Sequence, residues 1–291
     1  MSTTQESYLI GLIGDGITAS LTPPMHEAEA AAQGLHYLYR PVDLALIGRS
    51  GEDVGELMRA GRDLGFNAFN ITHPCKQIVL EHLDEISERA AALQAVNTVL
   101  IRDGKFIGEN TDQSGFASAL AAELPDAAKD KVVQLGTGGA GSAVAYALLD
   151  SGVQDLTLFD LDLDRAKERA AALAPHFPSA RVGATDAAGL EPAVEQANGV
   201  VNCTPIGMHH HPGAPIDLEL ITAEHWVADV IYLPVDTPLV TRARELGCQV
   251  LDGGAMAVGQ AVDAFRLITG VEPDRQRMRV HFLEMLADQQ P

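Results

Sequence analysis

Lys131-Val-Val-Gln-Leu-Gly-Thr-Gly-Gly-Ala-Gly141 decides the fold of this chain. Lys131 to Leu135 is a short apolar run of the kind that forms a buried strand, and Gly136, Gly138 and Gly141 follow it at the spacing G-x-G-x-x-G. Ala140, Ala143, Val144, Ala147 and Leu148 then recur at helical spacing. Strand, glycine turn and helix therefore stand in the order that a phosphate-binding turn requires. Glycine at 136 permits the tight turn, glycine at 138 lets the backbone approach a pyrophosphate, and glycine at 141 lets the helix pack close to the sheet. Gly139 and Ala140 open the helix, whose first N–H groups face the phosphates. A second strand, Leu156 to Asp160, ends in a carboxylate roughly twenty residues beyond the glycines, where an acid that binds an adenosine ribose is expected. The alternative is another nucleotide, or a methyl donor, on a similar fold.

The turn lies in mid-chain, so a whole domain precedes it. At 291 residues the chain is about twice a typical domain, and two domains are expected. Forty acidic against twenty basic residues give a formal charge of −20, which repels phosphate backbones and anionic membranes. Nucleic acid and membrane are not expected partners. No stretch approaches about twenty uninterrupted apolar residues, and the polar start Met1 to Ser7 has no positive region before an apolar run, so a cytoplasmic location is expected. Cys75, Cys203 and Cys248 are odd in number and widely separated, which fits free thiols in a reducing compartment. His209-His210-His211 sits among Pro205, Gly207, Pro212 and Gly213, so it reads as a loop whose adjacent rings cannot converge, and no metal is expected.

Before the glycine turn, strand and helix alternate: Tyr8 to Gly14, Met25 to Gln33, His36 to Val42, Val54 to Leu64 and Phe66 to Ile71. This is an α/β pattern with a mostly parallel sheet. Val96 to Arg102 and Lys105 to Asn110 flank Asp103-Gly104, a dipeptide favoured in two-residue hairpin turns. That register pairs Arg102 with Lys105 and Asn97 with Asn110. Continued in extended form, it makes Asn97 and Asp112 diagonal neighbours on one face, about 7–8 Å apart. Either two polar groups converge there, or loop-end residues only cap backbone groups. A helix from about Ser114 to Glu123 leads into the second α/β region, which continues through Gly199 to Cys203 and Trp226 to Tyr232 to about Leu251. Met256 to Thr269 and Arg275 to Leu286 are helical with no strand after them, and can pack back on the first domain. The expected organisation is residues 1–112, then 113–252 as the dinucleotide-binding domain, then 253–291 as returning helices.

These motifs, with Ser20-Leu-Thr22-Pro, Asn70-Ile-Thr-His-Pro-Cys-Lys76, Ala95-Val-Asn-Thr98, Asn110-Thr-Asp112, Asn202-Cys-Thr-Pro-Ile-Gly-Met208 and Gly259-Gln260-Ala261, resemble the shikimate/quinate dehydrogenase family over nearly the whole chain. The resemblance implies an N-terminal substrate domain with a mixed sheet, an inserted Rossmann-type domain that binds NAD, C-terminal helices that return to the substrate domain, and a substrate cleft between two α/β domains. It implies catalytic roles for Lys76 and Asp112. Read alone, Lys76 is a solvated lysine at a helix start. It also implies that the Ser20 and Thr22 hydroxyls hold a ring carboxylate, while Thr72, Asn97, Asp112 and Gln260 hold ring hydroxyls. The bland reading of Ser20 and Thr22 is capping of the helix after Pro23-Pro24. Thr204, Met208, Val230 and Gly253 match the family's remaining cofactor-side positions.

The residue types suit the implied chemistry. Oxidising a secondary ring alcohol requires loss of the hydroxyl proton as hydride leaves the same carbon for nicotinamide. Many shikimate-specific members resemble one another in carrying serine at both carboxylate-binding positions. Thr22 departs from that pattern and resembles the quinate-using branch, which implies quinate, shikimate or both as substrate. In the NADP-dependent branch an arginine-containing turn stands where this chain has Phe159-Asp160-Leu161-Asp162. A carboxylate facing a 2′-phosphate at about 4 Å costs on the order of 4 kcal/mol at an effective dielectric of 20, so NAD is favoured. Asp162 is solvated or shares the ribose role, and Arg165 approaches a phosphate, stacks on adenine or forms a surface ion pair. The alternatives are a biosynthetic NADP-dependent shikimate dehydrogenase and a catalytically silent NAD- or metabolite-binding regulator. The expected state is a monomer or homodimer.

Overall fold

The structure, a computed structural model, describes residues 7–288. The polar start weighed above lies, apart from Ser7, outside the described residues. The chain divides into two compact units: the segment up to Thr111 joined by that from Val258 onward, and Asp112–Ala257.

In the first unit the order is β1 (Ser7–Gly14), α1 (Thr22–Ala32), β2 (His36–Asp43), α2 (Leu44–Ile47), α3 (Val54–Asp63), β3 (Ala68–Ile71), α4 (Cys75–Ile78), β4 (Glu85–Ile86), α5 (Glu88–Leu93), β5 (Thr98–Arg102) and β6 (Lys105–Glu109). The sheet runs β2-β1-β3-β5-β6-β4, with β1 parallel to both β2 and β3, and β5 antiparallel to β3 and β6. Central β1 is apolar on both faces. Ile10 and Leu12 meet Tyr37, Tyr39 and Phe265 on one side, whereas Ile13 meets Val54, Met58 and Ile71 on the other. Edge strand β2 instead alternates, with Tyr37 and Tyr39 inward and Leu38 and Arg40 outward, and it tolerates Pro41 because one edge needs no partner.

Asp103 and Gly104 take φ of 51° and 76°, the left-handed pair of a two-residue hairpin turn, and Arg102 pairs with Lys105 as that turn demands. The extended continuation fails one step later. Helix α6 (Thr111–Glu123) begins at Thr111 rather than near Ser114, so Asp112 occupies a first helical turn and is not a strand neighbour of Asn97. The reason is local: the Asn97 carboxamide oxygen accepts the Thr111 amide at 2.7 Å and its nitrogen donates to Thr111 Oγ1 at 3.0 Å, which turns the backbone into the helix.

The second unit continues with β7 (Lys131–Leu135), α7 (Gly139–Asp150), β8 (Asp155–Phe159), α8 (Leu163–Leu173), β9 (Arg181–Thr185), α9 (Ala187–Glu195), β10 (Gly199–Asn202), β11 (Trp226–Asp229), α10 (Pro238–Glu245) and β12 (Gln249–Leu251). All pairings are parallel in the order β12-β11-β10-β7-β8-β9, the doubly wound arrangement in which strand order reverses between β7 and β10. Side chains of α7 and α8 cover Val132, Leu156, Leu158 and Val201 on one face; α9 and α10 cover Val133, Leu135, Val200 and Val227 on the other. Caps set the helix starts. Asp162 accepts the Arg165 amide at α8, and Thr237 accepts the Val240 amide ahead of Pro238 at α10. Asp162 is thus a helix cap. Helices α11 (Gly253–Thr269) and α12 (Arg275–Asp288) end the described chain, and among the described residues no helix is long and apolar enough to cross a membrane.

Candidate functional site

In the first unit Ser20, Thr22, Thr72 and Asn97 lie on segments that follow β1, follow β3 and precede the antiparallel β5, beyond one end of the sheet. Ser20 and Thr22 lie on the segment after β1, which Asp43 holds at its root by accepting from Gly16 N, Ile17 N and Thr18 Oγ1 at 3.2, 2.9 and 2.9 Å. Ser20 Oγ accepts the Thr22 amide at 3.3 Å from just outside the helix, whose cap position is Leu21 and carries no side-chain cap bond. An oxygen that accepts still has its own O–H to donate. Thr72 follows β3; its amide bonds Ile13 O and its carbonyl accepts from Cys75, while Asp15 N bonds His73 O. These bonds join the two post-strand segments. A Cβ at Gly14 would collide with Thr72 Cγ2, so this close approach requires glycine.

Lys76, on α4, is half-buried, and its carbonyl accepts the Val96 amide at 2.9 Å, which brings α4 against the segment entering β5. Asn97 is buried, and its carboxamide is bonded to Thr111 as described; Asn110 donates to Ala95 O at 3.0 Å. Asn97 thus anchors Thr111 and Asn110 anchors the Ala95 carbonyl at this end of the hairpin. Asp112 is 8% exposed in the first turn of α6. Gln260 lies on α11, four residues before Ala264 and five before Phe265, which are packed in the core beneath β1 and β2.

In the second unit the glycine turn sits at the carboxyl end of β7. Gly136 has φ of 89°, its amide bonds Phe159 O at 2.7 Å, and a Cβ there would meet the Cys203 backbone at 2.9 Å. At Gly141 a Cβ would collide with the Gly136 carbonyl oxygen. At Gly138 and Gly139 it would meet nothing within 4 Å. The turn is therefore tight against the protein at its two ends and open in the middle, beside the unbonded amides that every helix start presents. That shape fits a dinucleotide pyrophosphate, with Gly138, Gly139 and Ala140 beside it.

Asp160, just past β8, is 6% exposed and accepts from the Thr137 amide and hydroxyl at 2.9 and 2.8 Å, from the Asp162 amide, and from Arg165. Burial opposes its charge, but these donors outweigh it and hold the carboxyl down at about 2. It is an anion at neutral pH. Arg165 pairs with the buried Asp160 carboxylate.

Several residues not singled out from sequence build this edge. Gln134, fully buried in β7, donates Nε2 to Gly136 O and Gly141 O and so staples the turn shut. Asn202, at the end of β10, accepts from Thr204 N and Oγ1 and donates to Ile206 O and Asp229 Oδ1. Asp229, at the end of β11, also accepts from Ile231 N and Thr237 Oγ1. Burial dominates there and pushes its carboxyl up to about 6. This network fixes the segments that carry Thr204, Met208 and Val230, and a Cβ at Gly253 would collide with Ile231 O. The one available sequence signal was position: a polar residue closing each of two apolar strands.

Among known proteins, the family described as the shikimate dehydrogenase substrate binding domain matches residues 12–99. The chain is 61% identical to the shikimate dehydrogenase (NADP(+)) of Pseudarthrobacter chlorophenolicus over 99% of this chain and 98% of that one. It is 52% identical to the quinate/shikimate dehydrogenase (NAD(+)) of Corynebacterium efficiens, over 96% and 99%. The solved structure of quinate dehydrogenase from Corynebacterium glutamicum in complex with NAD superposes with a TM-score of 0.91 at 51% identity, covering 96% of this chain and 99% of that one.

Proposed function

The chain belongs to the shikimate dehydrogenase family, and from that premise we propose that it oxidises quinate, shikimate or both to the 3-dehydro acids with NAD. It is an oxidoreductase of the shikimate/quinate dehydrogenase kind and takes a pyridine nucleotide. Bound nicotinamide supplies the hydride acceptor. Lys76 takes the proton from the ring hydroxyl, and Asp112 orients the lysine. Ser20 and Thr22 hold the substrate carboxylate through their hydroxyl protons, while Thr72, Asn97 and Gln260 hold ring hydroxyls. We place the reaction in the cytoplasm.

The observation that carries the NAD reading is the charged, anchored carboxylate of Asp160 beside the glycine turn. A ribose diol donates to such a group, and a 2′-phosphate is repelled by it. The second reading, an NADP-dependent shikimate dehydrogenase, has support from the Pseudarthrobacter relative's name and from Arg165, a half-exposed cation on the same carboxylate. Initial rates of the purified protein with quinate and shikimate, each against NAD and NADP, separate the two. Higher kcat/KM with NAD, on either acid or on both, supports the first reading. Efficient turnover of shikimate with NADP alone overturns it.

A further inference from the structure

Asp160 is held by more donors than a carboxylate awaiting a ribose requires. The Thr137 amide and hydroxyl both reach Oδ2, the Asp162 amide reaches Oδ1 at 3.1 Å, and Arg165 closes the set with Nε to Oδ2 at 3.2 Å and Nη2 to Oδ1 at 2.5 Å. These donors fill the roughly four lone-pair directions that two carboxylate oxygens offer. They are not equally firm. Thr137 is 1% exposed and lies inside the glycine turn, whereas the Arg165 side chain is 54% exposed. A ribose hydroxyl that donates to Asp160 therefore takes the place of an Arg165 N–H, while Thr137 stays.

The Thr137 hydroxyl needs a purpose of its own. A turn that cradles phosphate uses backbone amides and glycines, and any small side chain would serve between Gly136 and Gly138. Here that position carries a buried hydroxyl whose partner is the ribose-side acid, 23 residues further along the chain. We propose that Thr137 is the positioning residue for cofactor choice: its hydroxyl fixes the Asp160 carboxylate toward the adenosine ribose, so that a 2′-hydroxyl is accepted and a 2′-phosphate refused, with Arg165 as the exchangeable partner. Without the hydroxyl the carboxylate is held on that oxygen by one backbone amide and by Arg165, and it can rotate with the arginine toward solvent. A 2′-phosphate then meets less negative charge and a freer guanidinium.

This inference rests on the NAD reading, and binding measured without substrate separates the two. Calorimetry with NAD and with NADP is applied to the wild type, Thr137→Val, Thr137→Ser and Asp160→Asn. Thr137→Val should lower the ratio of NAD to NADP affinity by about ten-fold, the scale of one lost hydrogen bond to a charged group. Thr137→Ser, which keeps the hydroxyl, should restore the ratio, and kcat/KM for the two cofactors should move in parallel. If the valine variant does not fold, Thr137→Ala removes the same hydroxyl. An unchanged ratio in Thr137→Val beside a lowered one in Asp160→Asn overturns the role of Thr137 alone. Equal loss of both affinities in Thr137→Val also overturns it, since the hydroxyl would then only shape the turn. An unchanged ratio in Asp160→Asn removes Asp160 as the discriminating group and this inference with it, while tighter binding of NADP than NAD by the wild type overturns the NAD reading itself.

Discussion

Asp160 and Asp229 are buried carboxylates at the same strand edge, and their surroundings drive them in opposite directions. Asp160 has an arginine among its donors and stays ionised; Asp229 has only neutral donors and is pushed up to about 6. In the unfolded chain Asp229 returns to an ordinary value near 3.8. Between about pH 4 and 6 the folded protein therefore binds more protons than the unfolded chain, and this group's contribution falls as pH rises through that window, then levels off. Two pKa units correspond to roughly 3 kcal/mol. Urea unfolding of wild type and Asp229→Asn should show the wild type's advantage larger at about pH 4.5 than at about pH 7; an advantage that is constant with pH would refute the raised value. At the proposed catalytic position, Lys76→Ala should lower kcat by about 10²–10⁴ with little change in KM, as expected for a lost proton-transfer group. A change confined to KM would make Lys76 a binding residue only. Residues such as Asp229, Asn202 and Thr137 were not legible beforehand, because a polar side chain after an apolar run reads equally well as solvated. Only the neighbouring strands reveal what it bonds.

Among the elements, those whose cause is local could be read directly. The Lys131–Leu135 strand and its glycine turn follow from residues within one supersecondary unit, as does the Asp103-Gly104 hairpin. Strand β9, Arg181-Val-Gly-Ala-Thr185, was not legible: it is a half-exposed edge strand with a glycine at its centre, and pairing with β8 rather than its own pattern makes it a strand. The start of α6 was misplaced for a similar reason, since Asn97, fourteen residues upstream, supplies the group that turns the chain. The glycines of the turn give a paired test. Gly141→Ala places a methyl on the Gly136 carbonyl and should cost about 1–3 kcal/mol, with a lower Tm and loss of dinucleotide binding. Gly139→Ala meets no protein atom and should leave Tm unchanged or raised while weakening dinucleotide binding, because its methyl fills the open side. Equal Tm losses in the two variants would contradict this division of the turn.

For the molecule as a whole, the first unit is completed only by the last helices of the chain. Phe265 on α11 stacks on Tyr37 of β2 with ring centroids 5.7 Å apart. Arg277 on α12 grips the buried Glu29 of α1 through two bonds of 2.7 Å, with the Asp274 amide on the same carboxylate. Arg277→Ala leaves that buried charge short of its cation and should lower Tm, by less than for a fully enclosed pair because water reaches part of the guanidinium. A Tm equal to wild type would show that Gln33 and the Asp274 amide suffice for Glu29. The polypeptide passes from one unit to the other at Thr111–Asp112 and back at Ala257–Val258. On the ribosome this ordering separates the two units in time. The β1–β6 sheet emerges first yet waits, with Ile10, Tyr37 and the carboxylate of Glu29 uncovered, until α11 and α12 are made. Asp112–Ala257 emerges later as one uninterrupted stretch and can close its own core at once. The segment born first is thus the last to be finished, and for that interval a nascent-chain chaperone would find its apolar face on offer.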